Sequence, residues 1–181
     1  LAPIPLILGS AVALGTLDHG MIPLIARWEN DPLTSELGGA PFAPISAERV
    51  AAEWAPLLAG ERAGWAGFSI LALPDLRPIG HLNVRDFGTA HRSAEFGITI
   101  GDPADRGRGY GTEATRLALR YAFDVLGVHN VWLDTTSANP AAIRAYEKAG
   151  FREIGRIRAA RRIGGVVADV VLMDCLPDDL R

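Results

Sequence analysis

The sequence predicts an α/β fold of the α+β type: a mixed, largely antiparallel sheet of seven strands with flanking helices. Three observations carry this. Strand-like and helix-like segments follow one another in the order β-α-α-β-β-β-α-β-α-β-β. Trp65–Leu73, Ile79–Phe87 and Ser93–Ile100 are joined only by turns, so they read as a meander of antiparallel strands. The 181 residues carry no repeat, low-complexity tract or long linker, and that length buries a core without disulfides or metals. Residues 1–181 are therefore read as one domain.

Leu1 to Leu17 is mostly apolar, but it lacks a basic start, carries Pro3 and Pro5 and breaks at Gly9 and Gly15. It is also too short to span a bilayer. The alternation of Val12 and Leu14 predicts a first, edge strand over Val12–Leu17. Asp18 and Gly20 lead into a helix reaching about Trp28, with Pro23 tolerable only in its first turn. Asn30-Asp31-Pro32 stops that helix, because the residue before a proline is pushed out of helical geometry. Residues 33–45 are rich in proline and read as a surface loop. Ser46 caps a second helix to Trp54 or a little beyond.

After the meander, a helix runs from Gly109 to Leu126, with an apolar face that includes Leu117, Leu119 and Phe123. Val131–Thr135 is a short buried strand. Asn139 caps a helix to Lys148, with Pro140 at its first position and Gly150 just beyond its end. Strands over about Arg152–Arg158 and Val166–Cys175 flank a turn at Gly164-Gly165.

Composition narrows the function. Eighteen basic against 21 acidic residues leave a net charge of −3, which argues against broad binding to nucleic acid or anionic membrane. The single cysteine, Cys175, permits no internal disulfide and suits a reducing, cytoplasmic setting. It lies in the apolar run Val170–Leu176 and reads as buried filler rather than a nucleophile. His81 and His91 have no partner at metal-ligand spacing, and no metal is expected.

The most informative stretch is Arg106-Gly107-Arg108-Gly109-Tyr110-Gly111-Thr112, between a strand and the long helix. Alternate glycines let a ligand approach the backbone amides, and the helix aims its free N–H groups and positive dipole end into the loop. Such a loop suits a phosphate or pyrophosphate, with two arginines at its mouth adding to the anion preference. A plain strand–helix turn remains open on these residues alone. A Walker loop fails for want of Gly-Lys-Ser/Thr, since Lys148 is the only lysine. The dinucleotide fingerprint fails because Thr112 stands where its third glycine belongs.

A second stretch, Asn139-x-x-Ala142-x-x-x-Tyr146-x-x-x-Gly150-Phe151, follows the Arg106-x-x-Gly109-x-Gly111 loop. Together they resemble the GCN5-related N-acetyltransferase (GNAT) superfamily. The likeness extends through His91–Asp102 on one side and through Gly155–Arg158 and Gly165–Met173 on the other. It is closest over about residues 79–176 and looser at Trp28–Pro32. It is nearest to the ribosomal-protein N-terminal (RimJ/RimL) and polyamine acetyltransferase branch. The resemblance implies that the fourth and fifth strands of the seven splay into a V-shaped cleft. Acetyl-CoA would lay its pyrophosphate on the glycine loop and its pantetheine arm along Phe96–Gly101, with no metal needed.

Acetyl transfer requires a neutral amine, a donor for the tetrahedral oxygen and a proton for the thiolate. Deprotonating an α-amine at neutral pH costs about 1–1.4 kcal/mol, whereas a lysine or polyamine amine costs over about 4. The resemblance makes Tyr146 the proton donor to the thiolate, the other reading being an aromatic anchor. It makes Glu95 and Asp134 the competing bases, with Glu95 slightly preferred and a surface carboxylate the alternative for each. Backbone N–H groups near Ile98 and Ile100 would face the developing oxyanion. Asn139 is first a helix cap; relatives also use it to hold the pantetheine arm. Arg106, Gly107, Arg108, Gly109, Tyr110, Gly111, Thr112 and Ala142 complete the expected acetyl-CoA site.

Arg152, Arg156, Arg158, Arg161 and Arg162 crowd the last hairpin, either as a solvated strand face or as an anion-attracting rim that would repel a polyamine. The expected function is acetyl-CoA-dependent transfer to a primary amine by direct attack in a ternary complex, with a protein N-terminal α-amine ahead of a small amine. A polyamine or amino-antibiotic acetyltransferase is the enzymatic alternative, and a CoA-binding regulatory module the non-enzymatic one. The expected partners are acetyl-CoA and the amine, with a homodimer as the assembly considered, and neither nucleic acid nor membrane.

Overall fold

The structure is a computed structural model that describes residues 2–39 and 42–180. Its strands are β1 (Pro5–Leu8), β2 (Val12–Gly15), β3 (Trp65–Ala72), β4 (Arg77–Arg85), β5 (Ser93–Ile100), β6 (Asn130–Thr136), β7 (Arg152–Ile163) and β8 (Val166–Cys175). The helices are α1 (Ile22–Glu29), α2 (Pro32–Leu37), α3 (Ala47–Leu58), α4 (Tyr110–Arg120) and α5 (Pro140–Ala149). The strands form a mixed sheet in the order β1-β2-β3-β4-β5-β6-β8-β7, with β5 and β6 the one parallel pair among the described residues.

Three expectations need correction. Among the described residues the sheet has eight strands rather than seven: β1 covers β2, so Val12–Gly15 is buried throughout and is not an edge. β1 is short and prolines interrupt its pattern, and Pro5 is tolerated because the strand lies at the rim. The stretch read as a loop from residue 33 holds α2, capped by Asp31, whose carboxylate accepts from the Thr34 N–H at 2.7 Å. Asn30-Asp31-Pro32 thus ends one helix and starts the next, with Pro32 at the first position, where no N–H is required. The long helix also does not stay regular to Leu126. After Arg120 it widens into a π turn over Tyr121–Val125, closed by the Leu126 N–H on the Tyr121 carbonyl at 3.1 Å.

The main core lies between the sheet and α4 and α5, where Leu14, Ile70, Leu82, Leu119, Leu133 and Met173 are essentially inaccessible. A smaller cluster joins α1 to α3 through Met21, Ile25, Trp28 and Val50. Glu113, in the first turn of α4, accepts from the Ser10 hydroxyl at 2.8 Å and the Ala11 N–H at 3.0 Å, tying the β1–β2 turn to the helix that follows the glycine loop. Among the described residues no helix is long and apolar enough to cross a membrane.

β5 and β6 pair only through Ser93–Asn130, Ala94–Val131 and Glu95–Trp132. Beyond Glu95, β5 stays with β4 as far as Ile100, while β6 stays with β8 as far as Thr136. The sheet therefore parts in its middle, which is the splay expected of the fourth and fifth strands, here β5 and β6. Backbone groups of Phe96–Ile100 on the β6 side are left without a strand partner.

Candidate functional site

A cavity of about 570 Å³ fills this parting. Its floor follows from strand alternation and register. Arg85 opposes Glu95, Asn83 opposes Gly97 and His81 opposes Thr99, so these six residues share one face of β4 and β5. Gly97 leaves that floor open. Trp132 stands level with Glu95 in the parallel pairing, which puts Asp134, two residues on, on the same face. Leu82, Val84, Ala94 and Phe96 point to the opposite face and the main core.

The glycine loop closes one end. Gly107 and Gly109 adopt φ of +73° and +85°, and a Cβ at either would meet nothing within 4 Å. The chain needs glycine there for backbone conformation, and the space beside it is free for a ligand. Gly109 is the N-cap of α4 and supplies no side-chain cap, so the first N–H groups of the helix face the cavity without a protein acceptor from that position. Gly111 and Thr112 lie in this first turn; Tyr110, Gly111 and Thr112 all line the cavity. Arg144 and Lys148 of α5 line it as well.

The two loop arginines differ from the expected pair at an anion's mouth. Arg106 lines the cavity but donates to the carbonyls of Ile100 at 3.2 Å and Gly101 at 3.0 Å and to the Thr34 hydroxyl at 2.6 Å. It is a strut between the end of β5 and α2. Arg108 is exposed and does not line the cavity. Beneath the loop, Arg77 forms a two-pronged pair with buried Asp105 at 2.8 and 2.7 Å. That pair, with Arg108 nearby, holds the Asp105 carboxyl below the usual carboxylate range.

Tyr146 enters from α5, wedged edge-on against Phe96 and Phe151 with ring centroids 6.4 and 5.8 Å away. Burial first, and then the charge of Asp134, push its phenol up to about 12. The group keeps its proton throughout the neutral range and is a hydrogen-bond donor. Asn139 caps α5 by accepting from the Ala142 N–H at 3.1 Å, and both residues line the cavity, as do Ile98 and Ile100.

Glu95 and Asp134 also line the cavity, and each is held by an arginine. Arg85 pairs with Glu95 directly across the β4–β5 ladder. Arg161 reaches back from β7 to Asp134 at 2.6 Å and donates to the Gly39 carbonyl. The hairpin arginines thus do not form one rim: Arg152 pairs with Asp179, Arg156 with Glu153 at 2.7 Å, and Arg161 turns inward.

The structure therefore brings together every expected site residue except Arg108. It adds Arg85, Asn83, Thr34 and His81, which sequence spacing did not single out as site residues. Arg85 and Asn83 could have been found from the β4–β5 register, had it been known. His81 lies edge-on to Trp54 at 4.9 Å; burial lowers its pKa to about 4, and its Nδ1 has no partner among the described residues. It is a neutral wall of the cavity. Cys175 is fully buried, and burial pushes its thiol up to about 12, so it is inert as a nucleophile. Among the described residues no cluster of His, Cys, Asp or Glu could hold a metal ion.

The acetyltransferase (GNAT) domain family matches residues 15–152. The spermidine N(1)-acetyltransferase of Vibrio cholerae is 36% identical over 95 residues, which are 52% of this chain and 54% of that protein. Bacillus subtilis YjcK, named a probable N-acetyltransferase, is 35% identical over 114 residues, 62% of each chain. The chain thus matches only about half to two-thirds of the length of these curated relatives. Over nearly the whole fold it is similar to the crystal structure of Vibrio cholerae spermidine N-acetyltransferase in complex with CoA and spermine. There the identity is 26%, the TM-score 0.82, and the coverage 94% of this chain and 98% of that one.

Proposed function

Because the chain belongs to the GNAT acetyltransferase family, we propose that it transfers the acetyl group of acetyl-CoA to a primary amine by direct attack in a ternary complex. The single observation that carries this reading is the parting of β5 and β6, whose cavity is lined by an uncapped helix N-terminus and by Tyr146. The residues suit acetyl-CoA. Free N–H groups at Gly109–Gly111, together with Arg144 and Lys148, would meet its phosphates. The unpaired edge of Phe96–Ile100 would accept an amide-bearing arm. Acetyl-CoA supplies the activated thioester, and the chain supplies binding and proton handling.

Tyr146 Oη donates its hydrogen bond to the departing sulfur. Full proton transfer from a phenol near 12 to a thiolate near 8.5 is uphill by about 5 kcal/mol, so the phenol works chiefly as a charge-assisted donor. Both carboxylates line the cavity; the charge of Asp134 acts on the Tyr146 phenol, which favours Asp134 as the group that takes the proton from the amine. Glu95, tied to Arg85 within the β4–β5 ladder, serves as the second candidate. Backbone N–H groups near Ile98–Ile100 face the carbonyl oxygen.

For the acceptor, the similarity to spermidine acetyltransferases supports a polyamine better than the protein N-terminal α-amine expected from sequence. A polyamine amine also gives the base a task, since it must lose a proton that costs over about 4 kcal/mol at neutral pH. Release of free thiol from acetyl-CoA is the test, measured with spermidine, spermine, a peptide amine and an aminoglycoside. Turnover with spermidine well above the peptide supports the reading. Tight CoA binding by calorimetry with turnover on none would replace it with a CoA-binding module.

A further inference from the structure

Arg161 lies far along the chain from the residues it touches. Its guanidinium donates to Asp134 Oδ2 at 2.6 Å and to the carbonyl of Gly39. Gly39 has φ of +91° and no side chain, and a Cβ there would collide with the guanidinium. A carboxylate and a backbone carbonyl thus converge on one cation, on the sheet face that carries Glu95. These are the oxygens an ammonium would need.

We propose that this seat of Asp134 and Gly39 receives the acceptor's reacting ammonium, and that Arg161 is an intramolecular occupant the acceptor must displace. Arg161 is then a specificity-determining residue: it sets how tightly cationic amines bind. The inference rests on the acetyltransferase reading and names the acceptor seat within it.

Two further observations support it. Gly39, Asp134, Arg161 and Tyr146 line one cavity, and the charge of Asp134 acts on the Tyr146 phenol, so the seat opens into the space where sulfur would depart. The pair is also displaceable, because the Arg161 and Asp134 side chains are 28% and 30% exposed. Water that reaches both partners of such a half-buried pair screens their attraction. The Arg85–Glu95 pair is different: although Arg85 is 34% exposed, Glu95 is only 14% exposed, and the two are directly opposed across paired strands and belong to the ladder. With both arginines in place the two carboxylates are balanced. Withdrawal of Arg161 leaves this half of the cleft with one uncompensated negative charge, which a polyamine can fill.

The test is Arg161→Met, which keeps an aliphatic stem and removes the charge, with Arg161→Gln as a second variant should the first fold poorly. The KM for spermidine should fall about two- to fivefold, the range expected for freeing a partly exposed ion pair. The kcat should change less than the KM, and the KM for acetyl-CoA should stay as it was. Added guanidinium ion should raise the variant's spermidine KM competitively and leave the wild type less affected. A spermidine KM that is unchanged or higher in both variants overturns the proposal. So does a raised KM confined to acceptors bearing a carboxylate, which would make Arg161 a reader of an acceptor anion. Calorimetry of spermine binding to the CoA complex separates the two levels of failure. Wild type without turnover on any amine sinks the acetyltransferase reading; spermine binding no tighter to Arg161→Met than to wild type sinks the seat.

Discussion

Residues 106–112 build their half of the cleft almost wholly from backbone, whereas the half around Glu95 and Asp134, the proposed acceptor side, is built from side chains that arrive from separate segments. In the first half, two glycines at positive φ and an uncapped helix start are contiguous in sequence. In the second, Arg85 meets Glu95, and Arg161 crosses to Asp134 and to Gly39. The difference shows how such a site divides its work. A ligand shared by a whole family can be held by main-chain groups that side-chain drift does not touch, while a variable acceptor is read by charges that substitution can rearrange.

The largest expected effect falls on the side-chain half. Asp134→Asn should lower kcat by about a hundredfold or more, and the acidic limb of its pH–rate profile should vanish. Glu95→Gln should keep that limb. If Glu95→Gln loses it and Asp134→Asn does not, the two carboxylates exchange roles; if both keep it, neither is the base.

Next comes Tyr146→Phe, which should cut turnover about tenfold or more with little change in acetyl-CoA affinity, as judged by steady-state kinetics beside calorimetry. Unchanged turnover would leave the tyrosine as packing between Phe96 and Phe151. On the backbone half, Gly109→Ala should weaken CoA binding about tenfold, because a left-handed conformation costs an L-residue roughly 1–2 kcal/mol. Its kcat at saturating acetyl-CoA should hold, and a fall in kcat instead would blur the division of labour.

The smallest effect is on stability. Asp105→Asn should cost about 1–2 kcal/mol at pH 7 by weakening the pair with Arg77 beneath the glycine loop. The folded-state pKa of Asp105 is depressed, so its stabilisation is present above the unfolded value near 3.8 and disappears as pH falls through the folded value. Melting curves of wild type and variant should therefore begin to converge as pH drops below about 3.8 and meet once it has passed the folded value. A gap that persists at the acid end would assign the loss to packing.

The same contrast explains what could be read in the sequence. The glycine loop, the Asn139 cap and the Tyr146 helix are local patterns, and each stands where spacing put it. The alternation of the meander also located β3, β4 and β5. Less legible was whatever depends on register or long closure. Arg106 spends its charge on carbonyls and on Thr34, 72 residues away, which no local pattern reports. α2 was hidden because Asp31-Pro32 reads equally as a stop and as a start. β1 was hidden because four residues with a proline carry too little alternation, and Leu6 and Leu8 face outward. The arginine cluster looked like one patch in sequence, yet ion pairing sends its members in different directions.

The three-pair seam between β5 and β6 has a consequence for the lifetime of the protein. A ligand that lies in that gap binds the folded chain and not the unfolded one, so it adds about 2.7 kcal/mol to the unfolding free energy at a hundred times its dissociation constant, and the melting temperature rises with its concentration. Resistance to proteolysis would then rise with ligand concentration, because a protease cuts the opened form that a ligand in the seam depopulates.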